Sequence, residues 1–155
     1  MRYAWIRAAA LAVVAAAAAG AQLAEKKALT LAAAKKIAAA AEAEARKNHW
    51  NVVIAILDEG GHLVYLERMD GVQIASLEIA VKKAESAVRF KRPTKAFEDQ
   101  LAGGRTAILK LPGAMPFEGG LPIMAGEQVI GAIGVSGVTS QQDGQIAKAG
   151  LAALP

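Results

Sequence analysis

The sequence predicts an α+β fold, one antiparallel sheet flanked by helices, and three observations carry that prediction. Between Gly119 and Gly137 six glycines punctuate two short apolar runs, Pro122-Ile123-Met124 and Val129-Ile130, on either side of Gly126-Glu127, which is the chemistry of a β-hairpin. A second hairpin lies upstream. Asn51 to Asp58 is a strand rich in valine and isoleucine, Glu59-Gly60-Gly61 is a turn, and His62 to Arg68 alternates, with Leu63, Tyr65 and Glu67 on one face. Apolar residues recur at helical spacing around the two hairpins, so helices are the material that covers the sheet.

Taken in order, Thr30 is a good N-cap for a helix over Leu31 to Lys47, whose Leu31, Ala34, Ile37, Ala38, Ala41 and Ala45 form a shallow alanine-rich stripe. After the first hairpin Asp70-Gly71 makes a turn, and a second helix is expected from Ile74 to Phe90 along Ala80, Ala84, Ala87 and Val88, with Ser76 as its cap if it starts there. Pro93 breaks that helix, and Thr94 can cap a short one through Leu101. Gly103 to Gly120 is a long connection with one apolar patch, Ile108 to Leu111, of the kind that often carries function in a compact domain. Gly131, Gly134 and Gly137 leave the last strand without side chains where another backbone can approach. Thr139 or Ser140 caps a final helix through Leu154, weakened by Gly144 and Gly150. The resulting sandwich is profilin-like or PAS-like in appearance.

The chain opens with Arg2 and Arg7, an uncharged run from Ala8 to Leu23, and the small triplet Ala19-Gly20-Ala21. That three-part pattern predicts a signal peptide over residues 1–21 and a single domain over 22–155, placed in the periplasm or secreted. An uncleaved anchor is the rival, but a span needs roughly 20 strongly apolar residues, and this stretch is mostly alanine and includes Gly20. Without Arg2 and Arg7 the 18 basic residues become 16 against 14 acidic ones, a balance of +2, which gives no support to nucleic acid as a partner. With no cysteine in the chain, disulfides, thiolate ligation and a cysteine nucleophile are excluded.

The chain has two histidines, His49 and His62, and neither belongs to a His-Glu-x-x-His motif; there is also no Gly-x-Ser-x-Gly nucleophile motif. His62, beside the Gly60-Gly61 turn, is open to two uses, a solvated turn residue or a metal ligand. His49 sits at a helix end, where it can interact with the dipole or ligate iron. Tyr65, Met69, Met115 and Met124 are weaker ligand candidates. Phe90-Lys91-Arg92-Pro93-Thr94 places two cations and a hydroxyl beside an aromatic ring, a setting able to hold an anionic group. Arg68 and Asp70 flank Met69, and Lys83 and Glu85 lie on the following helix; a buried lysine or carboxylate there could serve as an acid or base, with a surface ion pair the default.

Arg68-Met69-Asp70-Gly71, Phe90 to Thr94, Gly119 to Gly137, and Thr139-Ser140-Gln141-Gln142-Asp143, in this order and spacing, resemble the GlcG/HbpS family of haem-binding, haem-degrading-type proteins, which includes the C-terminal domain of PduO proteins. The resemblance runs from about Leu29 to Leu154. It implies haem as cofactor, a homo-oligomer, and proximity of Phe90–Thr94 to Gly119–Pro122. The candidate cofactor-binding residues are then His62, Met69, Lys91, Arg92, Thr94, Gly119 and Gly120, with His62 or His49 on the iron. The expected function is an exported haem or tetrapyrrole binder in haem or iron handling. The alternative is an enzyme or sensor for a small organic acid held by Arg92 and the Gly119–Pro122 turn. One departure stands out: some haem-binding relatives carry a hydroxyl residue where this chain has Leu121, so hydroxyl-based ligation does not transfer.

Overall fold

The computed structural model describes residues 23–154, and the predicted leader lies outside them. Four strands, β1 (Val53–Asp58), β2 (Leu63–Arg68), β3 (Gly120–Ala125) and β4 (Gln128–Ser136), form one antiparallel sheet in the order β2-β1-β4-β3. The helices α1 (Leu31–Lys47) and α4 (Ser140–Leu151) cover one face, and α2 (Ser76–Phe90) covers the other. A short α3 (Lys95–Ala102) and a 3-10 turn (Thr106–Lys110) fill the connection into β3. No helix among the described residues is long and apolar enough to cross a membrane.

The apolar run of β1 follows from burial on both faces. Ile54 and Ile56 pack with Ile37, Ala41 and Ile146 beneath α1 and α4, whereas Val53, Ala55 and Leu57 meet Ala80, Ala84 and Ala87 of α2. The alanine stripes let helices sit close to the sheet. At Gly134 the approach is closest, for a Cβ there would come within 2.0 Å of the Ala80 carbonyl oxygen, so β4 can pass under α2 only as glycine.

Both hairpins form as the sequence predicts, with Ala125 paired to Gln128 across Gly126-Glu127. Thr30 caps α1, and Thr139 caps α4 through a capping box with Gln142. Two expected caps are corrected. Helix α2 begins at Ser76, not Ile74, and the Ser76 hydroxyl is buried, accepting from Ser136 Oγ at 3.3 Å. Thr94 makes no capping bond, because its hydroxyl is engaged across the fold by Gly120.

Candidate functional site

His49 ends α1 in a conformation that histidine resists. The helix closes with a Schellman motif, Trp50 N–H donating to Ala45 O at 2.9 Å and His49 N–H to Arg46 O at 3.1 Å, and that motif places the residue at position 49 in the left-handed region, usually taken by glycine. Here φ is +58° on a histidine, a cost of roughly 1–2 kcal/mol for a side chain that is not glycine. The amide of Asn48 donates to Glu44 O at 2.8 Å, so the cap itself needs nothing from the imidazole. The exposed His49 side chain makes no hydrogen bond among the described residues. It lines an open cavity of about 370 Å³ with Arg46, Trp50, Asn51 and Met69. The fold therefore brings His49 and Met69, the nitrogen and sulfur ligand types the sequence offers, to one cavity.

Lys91 repeats this device at the end of α2. Arg92 N–H donates to Ala87 O at 3.2 Å and Lys91 N–H to Val88 O at 3.4 Å, leaving Lys91 left-handed at φ +51°. Its side chain lines a cavity of about 250 Å³ with Lys26, Glu59 and Glu127.

His62 lies at the opposite end of β1 from His49, about 20 Å away along a six-residue strand, so the two histidines of one subunit cannot share an iron. The Asp58 carboxylate shapes this turn, accepting from the Gly60 and His62 amides at 2.9 Å each. The same oxygen lies 3.3 Å from His62 Nδ1, on a side chain that is 81% exposed. Those bonds, the His62 amide first, hold the Asp58 carboxyl below its ordinary pKa despite partial burial. A carboxylate near Nδ1 is the arrangement found behind many metal-bound histidines.

The remaining candidates separate. Thr94 is fully buried, where its hydroxyl accepts from the Gly120 amide at 2.9 Å and its own amide donates to Gly120 O at 3.0 Å. Thr94 and Gly120 therefore staple the start of α3 to β3. The Phe90–Thr94 segment does lie beside the Gly119–Gly120 turn, but Arg92 turns outward: its guanidinium stacks 5.7 Å from the Phe97 ring centroid and its Nε donates to Phe90 O at 3.3 Å. Leu121 is a core residue packed with Ile123 and Ile133.

One centre was misread from sequence. Lys83 is not a surface residue; its Nζ donates to Asp143 Oδ2 at 2.7 Å and to Val135 O at 3.0 Å, and both side chains of the ion pair are 3% exposed. Burial raises the Asp143 pKa more than the Lys83 charge lowers it. A Cβ on Gly119 would lie 2.8 Å from the Lys83 ammonium and one on Gly120 2.3 Å from the Lys83 carbonyl oxygen, so this glycine pair makes room for the buried lysine. The signal was present: Lys83 falls on the Ala80, Ala84, Ala87 stripe that faces the sheet.

The predicted Gly119–Pro122 turn is instead the entry into β3, and the α+β sandwich it belongs to is a fold of known type. Residues 29–152 match the family described as haem degrading protein HbpS-like, and the chain belongs to that family. Protein GlcG of Escherichia coli K12 is 44% identical over 95 residues, covering 61% of this chain and 71% of GlcG. A double mutant of Streptomyces reticuli HbpS superposes with a TM-score of 0.79 at 35% identity, over 88% of this chain and 93% of that one. A PduOC:haem complex gives a TM-score of 0.75 at 29% identity, over 83% and 96% of the two chains.

Proposed function

We propose that this protein binds haem, with the His49 imidazole as the iron ligand and the cavity beside it as the resting place for one edge of the porphyrin. The single observation that carries this reading is His49 itself. Strained residues persist where function requires them, and this one is held left-handed with its side chain exposed on a cavity wall and without a hydrogen bond among the described residues. Trp50 offers an apolar surface for the macrocycle. Arg46, whose Nε and Nη2 both meet Glu42 Oε1, at 2.6 and 2.5 Å, lies at the same wall and keeps its Nη1 hydrogens for a propionate. Family membership and the haem complex of the PduOC relative supply the ligand class. Bound haem would contribute redox-active iron chemistry; the protein's part is to present the His49 imidazole and cover one side of the ring.

A second reading of the ligand rests on Asp58. Its hold on His62 Nδ1 leaves the other ring nitrogen on an exposed turn, with Lys91 on the neighbouring helix end. The small-acid alternative gains nothing comparable, since Arg92 stacks on Phe97 and Thr94 is spent on Gly120. Export by the leader, a periplasmic or secreted location, a role in iron handling and assembly of several copies complete the proposal. Absorbance titration with hemin tests the core of it: a saturable Soret shift with a stoichiometric end point supports haem binding, and a purely linear, non-saturating response rejects it.

A further inference from the structure

We infer that the cavity beside the buried Lys83–Asp143 pair is a second binding site, for a small uncharged carbonyl compound whose oxygen accepts a hydrogen bond from the Lys83 ammonium. The cavity holds about 160 Å³, room for roughly five waters at 30 Å³ each. One wall is polar, built from Lys83, Asp143, Ser136 and Ser140, and the other carries Met115 and Phe117.

An ammonium has three hydrogens to donate. Val135 O and Asp143 Oδ2 take two of those on Lys83, and the third has no partner among the described residues although the side chain is 3% exposed and forms part of the cavity wall. That spare donor calls for an acceptor. The charge of the acceptor follows from Asp143, which lies on the same wall with Oδ1 fixed by the Val138 amide at 3.2 Å and Oδ2 by Lys83. It neutralises the lysine, so an anion would meet a carboxylate as it met the ammonium, and a cation would meet the ammonium; a neutral carbonyl meets neither penalty. The Ser136 hydroxyl, which donates to Ser76 Oγ at 3.3 Å, keeps lone pairs for an N–H or O–H on the ligand. Phe117, half exposed at the wall, covers an apolar end.

Stability alone does not account for the pair. A buried ion pair often contributes less than apolar residues of the same volume would, and the flanking glycines Gly119 and Gly120 accommodate it at the expense of backbone freedom. A polar group kept against that balance beside a cavity is the mark of a site.

The probe is acetamide, with isosteric acetate as its charged counterpart, titrated into the isotope-labelled protein while amide resonances are followed by NMR. Acetamide should give saturable shifts at Gly119, Val138 and Ser140, and acetate should bind at least tenfold more weakly. The double variant K83M/D143N, which keeps side-chain size and removes both charges, should lose acetamide at least tenfold. Ser140→Leu fills the cavity and leaves the pair intact, so it should abolish the shifts even if the double variant fails to fold. Equal affinity for acetate, no saturable shift at these amides, or undiminished binding in Ser140→Leu would overturn the site.

Discussion

At the scale of single residues, two side chains that are not glycine end helices in the left-handed region, His49 and Lys91, and both were candidates on chemical grounds. The strain gives a direct prediction for His49. His49→Gly should raise the melting temperature by roughly 3–5 °C, the yield of about 1 kcal/mol in a domain of this size, measured by thermal denaturation of the haem-free protein. A fall in melting temperature would show that the imidazole supports the fold.

Asp58 makes a pH prediction. Its carboxyl is depressed in the folded state by the amides of His62 and Gly60, so its contribution is present above the unfolded carboxylate pKa of about 4 and is lost as pH falls through the lower folded value. Asp58→Asn should therefore lower stability at neutral pH and flatten the acid limb of the stability–pH curve below about pH 4, so that variant and parent converge in acid. An unaltered acid limb would remove Asp58 from the account.

At the scale of elements, Thr94 shows what the sequence could and could not tell. Its hydroxyl was read as a helix cap or an anion contact, whereas it closes on Gly120, 26 positions away. Thr94→Val should cost about 1–3 kcal/mol by leaving the buried Gly120 amide unpaired, read by urea denaturation, with hemin affinity unchanged. Loss of hemin binding in the still-folded variant would return Thr94 to the binding site.

The hairpins, the caps at Thr30 and Thr139 and the apolar strand β1 were legible because they are written in adjacent residues, as turns, capping side chains and unbroken apolar runs. The start of α2 was not, because Ile74 and Ala75 suit a helix, whereas the backbone there makes tighter turn bonds, Ser76 N–H to Gln73 O and Leu77 N–H to Ile74 O, both at 3.2 Å. For Lys83 the apolar stripe carried the signal for burial, but its partner Asp143, 60 positions on, could not be read from the helix alone.

At the scale of the whole molecule, the described domain encloses a core on each face of its sheet yet leaves Leu63, Ile74, Leu109 and Phe117 at least half exposed. Association of several copies, proposed above, would take part of that surface out of water. Light scattering on protein lacking residues 1–21 should give a mass at least twice that of the single chain at micromolar concentration, and a strictly monomeric species would reject assembly.

The central claim is that His49 is held under strain in order to reach iron. It is tested most directly by hemin titration of His49→Gly beside His62→Gln, following the Soret band of each. The account predicts that His49→Gly loses at least tenfold in hemin affinity and changes the band position, while His62→Gln titrates like the parent protein. An unchanged titration in His49→Gly, with the loss falling on His62→Gln, would contradict it and move the iron to the Asp58–His62 turn.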